Sequence, residues 1–399
     1  MTGLAVGDEV EVEIGPIGHG GHWIARHDGQ VLFVRHTATG ERVRARVTEL
    51  GPGGRFVRAD AVAVLEASPD RVAPPCPYAG TCGGCDFQHL ALPAQRKLKT
   101  LVVQEQFRRL AGLEVDVDVA ALDPREDGLR WRSRCEFTVD AAGRAGMRAH
   151  RSEAIVPLDD CLIASQRVVG TGVLQREWPP GSTLDVVAPS AGEPVVCVLP
   201  GTDPVPTVTE RVGAAGFAHD FAVSARGFWQ VHPRAPHIFV ERVLAEVVPR
   251  PGERALDLYA GVGLFAAALA DAVGPEGQVL TVESDAVAGA LARSNLTPWP
   301  HAVAVANRVD DFLGVARPAR RGPDRRRASR PRRPRPSPLL PPSADVVVLD
   351  PPRTGAGPKV VEAVAGLRPR WIAYVACDPA ALARDTVALG GWRHTTPSR

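Results

Sequence analysis

The chain has 399 residues, 47 Lys and Arg against 45 Asp and Glu, and 45% hydrophobic residues. At roughly 100–200 residues per domain this length allows two to four domains, each with its own core. The ordinary apolar and charged fractions exclude whole-chain disorder and a fibrous fold. No run of about 18 uncharged apolar residues occurs, and residues 1–30 lack a basic-then-apolar leader pattern. Neither a membrane span nor secretion is therefore expected, and the location expected is cytoplasmic. The net charge of +2 averages unlike regions, because residues 317–342 hold ten Arg and one Asp, a local +9 that leaves −7 on the rest. By total charge the body is not a basic nucleic-acid binder, so any such contact must come from local patches.

Residues 6–65 read as short β segments, among them Val10–Ile14, Gln30–Val34 and Arg42–Val47, broken by turns at Gly18–Gly21 and Gly51–Gly54. That pattern predicts a small five-stranded barrel over residues 1–68. Pro74-Pro75 closes it and opens a second unit, expected over 69–235, with the run Cys76-x5-Cys82-x2-Cys85. An odd total of seven cysteines without a leader argues against a disulfide framework. Three thiolates on a short glycine-rich segment can converge on one centre, and Cys161, in Asp159-Asp160-Cys161, is the natural fourth. Cluster iron and structural zinc both accept four thiolates; free buried cysteines are the competing reading. Residues 94–112 look helical. Residues 113–235 mix strands and turns with no dominant period. Within them Arg130, Arg132 and Arg134, interleaved with Trp131, suit either a phosphate-and-stacking patch or a solvated strand face.

From residue 236 the character changes to strand–helix alternation. A helix (Ile238–Val247) leads to the buried strand Ala255–Tyr259, the turn Gly261-Val262-Gly263 and an apolar helix (Leu264–Ala272). Further strands end at Glu283, at Asp350-Pro351-Pro352-Arg353 and just before Cys377. Chemistry at successive strand ends is the mark of an open parallel α/β sheet, expected over 236–399. The glycines let the backbone approach a nucleotide-like ligand, and Glu283, about twenty residues on, is placed for ribose hydroxyls. The two prolines fix an extended turn that aims Asp350 into the cleft. Cys377 precedes Asp-Pro and a helix, whose N-terminus favours a thiolate and suits a nucleophile; a buried structural cysteine is the alternative. Residues 317–342, rich in Arg and Pro, are expected to be a disordered insert.

Together Cys76-x5-Cys82-Gly83-Gly84-Cys85 followed by Gln88-His89, the element Phe228-Trp229-Gln230, Asp257-Leu258-Tyr259-Ala260-Gly261-Val262-Gly263, Asp350-Pro351-Pro352-Arg353 and Cys377-Asp378-Pro379 resemble the uracil-5 RNA methyltransferases that modify tRNA and ribosomal RNA. The resemblance runs over nearly the whole chain. It implies a TRAM-type (OB-like) barrel, a central α+β iron–sulfur and RNA-binding domain, and a Rossmann-like class I methyltransferase domain. It also implies S-adenosylmethionine bound by Gln230, Tyr259, Glu283 and Asp350, a 4Fe–4S cluster held by Cys76, Cys82, Cys85 and Cys161, and Cys377 as nucleophile on carbon 6 of uracil. The partner implied is rRNA or tRNA, met by a monomer away from membranes. The sequence departs from the family at Leu264 and His232, where asparagine is frequent, and in the Arg/Pro insert. Residues after Asp385 contain no counterpart of the family's His-x-Glu, whose Glu is the final base. A shortened C-terminus with impaired turnover is thus expected, and the alternative expectation is a catalytically impaired RNA-binding iron–sulfur protein of the same fold.

Overall fold

The computed structural model of the chain describes residues 3–123, 127–315 and 335–390. Five strands, β1 (Glu9–Gly18), β2 (His22–His27), β3 (Gln30–Arg35), β4 (Arg42–Leu50) and β5 (Val57–Glu66), close into a barrel in the order β1-β2-β3-β5-β4. Alternate residues point inward, so Val12, Ile14, Trp23, Leu32, Val34, Val43, Val47 and Val57 form its core. On the outside the β1–β4 register sets Glu9, Glu11 and Glu13 opposite Arg46, Arg44 and Arg42. That face neutralises itself, with Arg46 Nη2 2.7 Å from Glu9 Oε1.

The barrel is clasped to the next segment by one buried carboxylate. Glu41 is fully buried and accepts hydrogen bonds from Arg71 Nε (2.5 Å) and Nη2 (2.7 Å), the Thr37 hydroxyl (2.9 Å) and the N–H groups of Ala38 and Ser68. Burial pushes its carboxyl up, but the Arg71 bond and the two N–H groups outweigh that and hold it below its ordinary value.

The central region follows α1 (Leu92–Gln106), which continues as a wider turn to Ala111 and ends at Gly112, φ +66°. Strands β6 (Arg134–Val139), β7 (Ala145–Arg148), β8 (Ile155–Pro157), β9 (Thr183–Val187) and β10 (Val195–Leu199), with the short α2 (Gln166–Val169), make an antiparallel sheet ordered β10-β9-β6-β7-β8. A separate hairpin, β11 (Thr207–Ala214) and β12 (Phe217–Ser224), follows. The arginine patch is corrected here. Arg130 is bonded to both Asp160 oxygens and to the Cys161 carbonyl, and Arg134 is buried against Glu210 at 3.0 Å and the carbonyls of Ala225 and Gly227. Trp131 stacks on His232, centroids 5.6 Å apart. Two of the three charges are therefore used inside the protein, because the face that carries them is packed rather than solvated.

The C-terminal part alternates α3 (Ala235–Val247), β13 (Arg254–Leu258), α4 (Leu264–Val273), β14 (Gln278–Glu283), α5 (Ala286–Asn295), β15 (Ala302–Ala306), α6 (Val309–Phe312), β16 (Val346–Leu349), α7 (Pro358–Gly366), β17 (Trp371–Tyr374) and α8 (Pro379–Thr386). All strand pairs are parallel, in the order β15-β14-β13-β16-β17. The interior strand β16, between β13 and β17, is wholly buried, as the apolar run Val346–Leu349 demands of a strand covered on both faces. Of the insert expected at 317–342, residues 317–334 lie outside the described residues, as do residues 391–399. Residues 335–342 are instead built into the fold. Ser337 N–H donates to the Phe312 carbonyl at 2.9 Å, and Leu340 packs on the core that holds Phe312 and Leu367. No helix among the described residues is long and apolar enough to cross a membrane.

Glu41→Ala strands Arg71 and is expected to cost about 2–4 kcal/mol, read as loss of hydrogen-exchange protection in the barrel. Because the folded carboxyl lies below its unfolded value, this contribution is present above the ordinary carboxylate range. It fades in the wild type as pH falls through the folded value.

Candidate active site

Parallel strands deliver their C-terminal ends to one edge, and four of the five residues expected at the cofactor and nucleophile positions stand there. Tyr259 follows β13, Glu283 ends β14, Asp350 follows β16, and Cys377 comes three residues after β17. The turn after β13 is held in a rarely adopted backbone shape: Tyr259 has φ +65°, Gly261 +55° and Gly263 +89°. For tyrosine that conformation costs roughly 1–3 kcal/mol. Space around Gly261 is open, and its N–H donates to Glu283 Oε2 at 2.8 Å. The other Glu283 oxygen accepts from the Asp285 N–H (2.6 Å) and the Ser284 hydroxyl (3.3 Å), which fixes the carboxylate at the edge.

A third carboxylate, Asp257, opens the glycine motif, and the sequence assigns it no role. It is fully buried in β13 and takes the Ala266 N–H at 2.9 Å on Oδ2, while Oδ1 has no hydrogen-bond partner. Burial, then the nearby Asp350 and Glu283 charges, push its carboxyl up to about 8 despite the Ala266 bond. Burial likewise pushes Asp350 up to about 6 and the Tyr259 hydroxyl up to about 12, with Asp310 and Asp385 adding to the latter. Three crowded carboxylates with too few donors are matched to a cationic ligand that also carries hydroxyl groups.

The Cys377 thiol is exposed, which removes the buried structural reading. Asp378 caps α8, accepting the Ala381 N–H at 2.8 Å, and Pro379 occupies the first turn. The same Asp378 carboxylate lies 3.2 Å from His19 Nε2, so the β1–β2 turn of the barrel reaches the segment beside the thiol. Further along α8, the buried Asp385 accepts from the Tyr374 hydroxyl (2.6 Å) and the N–H groups of Ala356 (2.8 Å) and Gly357 (3.0 Å). One carboxylate thus ties the loop after Asp350 to the helix after Cys377. Sequence reading could have flagged it, since an Asp inside an apolar helix face seldom stays unpartnered. Gln230 is half-buried on the link between β12 and α3. Its neighbour Trp229 packs in the core with Val262 and Leu264, while Phe228 stands 77% exposed.

Away from this edge, Cys76, Cys82, Cys85 and Cys161 line one small cavity and are all free thiols. Two contacts join the segments that carry them: the Tyr78 hydroxyl donates to Asp159 Oδ2 (2.9 Å) and accepts the Asp159 N–H (3.0 Å). Gly83 is required because its backbone passes so close to Arg148 that a Cβ would lie 2.6 Å from the carbonyl oxygen. Burial pushes the Cys82, Cys85 and Cys161 thiols up, and the other cysteines of the set add to it. Among the described residues no three His, Cys, Asp or Glu side chains close on a point as ligands of a single ion would.

Asp257 gives a pH-dependent test. Its folded carboxyl lies far above its unfolded value, so ionisation costs stability increasingly as pH rises from about 4 to about 8. Asp257→Asn should therefore raise the melting temperature of the ligand-free protein, with a gain that is small at pH 4 and levels off above pH 8; a pH-independent change would contradict this.

Residues 4–62 match the family model of the TRAM domain. The chain is 44% identical to an RNA methyltransferase of Streptomyces coelicolor, SCO5901, itself uncharacterized, over 98% of this chain and 89% of that protein. It is 30% identical to the 23S rRNA (uracil(1939)-C(5))-methyltransferase RlmD of Pseudomonas putida, over 97% and 89%. Its fold matches that of the Pyrococcus abyssi tRNA (uracil-54, C5)-methyltransferase, solved with S-adenosyl-L-homocysteine, with a TM-score of 0.62 at 20% identity over 95% of this chain and 93% of that one. The chain, with its TRAM barrel ahead of a methyltransferase sheet, belongs to the uracil-5 RNA methyltransferase family.

Proposed function

We propose that this S-adenosylmethionine-dependent RNA methyltransferase places a methyl group on carbon 5 of a uridine in rRNA or tRNA through a covalent bond to Cys377. The observation that carries the reading is an exposed thiol on the same sheet edge as the glycine turn and the carboxylates Glu283 and Asp350. A methyltransferase acting on an amino nitrogen needs no such thiol, because its target attacks directly.

S-adenosylmethionine supplies an electrophilic methyl on a sulfonium. The residues present fit it: the fixed Glu283 offers hydrogen-bond acceptors, the orphaned buried Asp257 oxygen and the raised Asp350 belong to carboxyls whose ionisation a bound cation would favour, and open space lies at Gly261. Glu283 is assigned to the ribose hydroxyls, and Tyr259, Gln230 and Asp350 to the rest of the ligand. The target base must leave its stack to reach the edge, and the exposed Phe228 ring offers a face on which RNA can stack.

Carbon 5 of uracil is a weak nucleophile. The Cys377 thiolate adds to carbon 6, the ring electrons move to carbon 5 and the carbon-4 oxygen, and carbon 5 takes the methyl as the methyl–sulfonium bond breaks with its electron pair left on sulfur. A base then removes the carbon-5 proton, the carbon 5–carbon 6 double bond re-forms, and the thiolate leaves. Asp378, His19 and Asp385 touch no reacting atom in this scheme; they position the segments on either side of the thiol.

Cys76, Cys82, Cys85 and Cys161 are assigned to a 4Fe–4S cluster. Four thiols around one cavity fit a cluster that is held by four cysteines. The cluster would hold the central segments together and takes no part in the scheme above. The domain limits 1–68, 69–235 and 236–399 belong to the same reading.

The test is RNA carrying 5-fluorouridine at the target, where no carbon-5 proton is available for removal. Incubated with S-adenosylmethionine, the wild type should form a complex that survives denaturing electrophoresis, and Cys377→Ala should form none while still binding RNA. An adduct that persists in Cys377→Ala contradicts the assignment.

A further inference from the structure

A second concavity, of about 390 Å³, lies between the barrel and the Cys76–Cys85 loop, within the roughly 300–1,000 Å³ of small-ligand sites. One wall is β5, from Asp60 to Val64; Val62 and Val64 stand 42% and 37% exposed there, an apolar face without a cover. The lining also carries His36, which follows Arg35 beside Asp60 in the β3–β5 register, and Arg71, Asp86 and His89.

The two histidines present a defined pair of hydrogen-bonding atoms. Arg35 Nη2 can only donate, and it lies 3.0 Å from His36 Nε2, so that nitrogen accepts and Nδ1 carries the proton. His89 Nε2 lies 2.9 Å from the Thr37 carbonyl, so it donates and Nδ1 is left as an acceptor. Burial is the main reason that both rings stay neutral, and nearby arginine charge works in the same direction. No partner among the described residues engages either Nδ1, and the ring centroids are 6.3 Å apart. His36 is also held at φ +60°, a strained backbone shape for a residue with a side chain.

We infer that this cleft takes one unpaired nucleobase of the RNA substrate, its ring against Val62 and Val64 and its polar edge on His36 Nδ1–H and His89 Nδ1. The inference rests on the RNA-methyltransferase reading above. A neutral base suits the walls better than a phosphate: Asp60 and Asp86 are balanced by Arg35 and Arg71, which leaves no net charge to hold an anion, while the carboxylates can still accept from an exocyclic amino group. The cleft is a second point of grip on the strand, separate from the sheet edge that carries Cys377.

The test titrates the full chain with fluorescein-labelled single-stranded oligo(A), oligo(C) and oligo(U), and with an abasic ribose-phosphate oligomer of equal length, by anisotropy. Val62→Trp fills the cleft, and His36→Phe keeps a ring but removes the donor. Each should weaken binding of the base-bearing oligomers about ten-fold and leave abasic binding unchanged. Unchanged affinity for all oligomers in both variants overturns the inference, and so does an equal loss on the abasic oligomer, which would mark a phosphate or purely structural role. Methyl incorporation into uridine RNA is measured alongside in the wild type. Its absence with base-dependent binding intact counts against the proposed chemistry and not against the cleft.

Discussion

Five parallel strands can present ligand-binding loops at only one edge, and the site depends on that constraint. The order β15-β14-β13-β16-β17 places the reversal of winding between β13 and β16, where crevices of open α/β sheets form. The glycine turn lies on one side of that crevice and the Asp-Pro-Pro loop on the other. Glu283 and the Cys377 segment flank them at the ends of the neighbouring strands. The register leaves little freedom: Leu258 pairs with both Val282 and Leu349, so the chain exits beside Glu283 and Asp350 at the same height.

Crowding carboxylates at this edge has a cost that the bare protein bears. Asp257 has an oxygen with no partner, and it and Asp350 are both pushed toward neutrality. A cationic ligand relieves that cost, so binding draws on free energy already stored in the site. Positioning comes from a different set of residues. Asp385 gathers Tyr374, Ala356 and Gly357, and Asp378 meets His19 of the barrel. The barrel is therefore in direct contact with the segment that carries the thiol.

The sequence makes some parts of this arrangement legible and hides others for identifiable reasons. Glycine turns, a strand-ending Glu and Asp-Pro-Pro are local signals, and the structure has them at strand ends as expected. The alternating barrel strands are equally local. The central sheet stayed unreadable because strands such as Ile155–Pro157 and Ala145–Arg148 are too short to show a period. The arginines at 130 and 134 misled because spacing does not reveal Asp160 and Glu210, their distant partners. Leu340 looked like part of an irregular insert, since its apolar partners Phe312 and Leu367 are remote in sequence. Asp257 and Asp385 give no sign of their partners in the sequence, and only their burial and contacts show what they do.

The central claim is that carbon 5 of uridine receives the methyl through attack by Cys377 on carbon 6. The most direct measurement uses uridine RNA tritiated at carbon 5 together with S-adenosylmethionine labelled in its methyl group. The account predicts one tritium released to water for each methyl incorporated, and neither event in Cys377→Ala. Methyl incorporation with the carbon-5 tritium retained, or release that continues without the thiol, would contradict it.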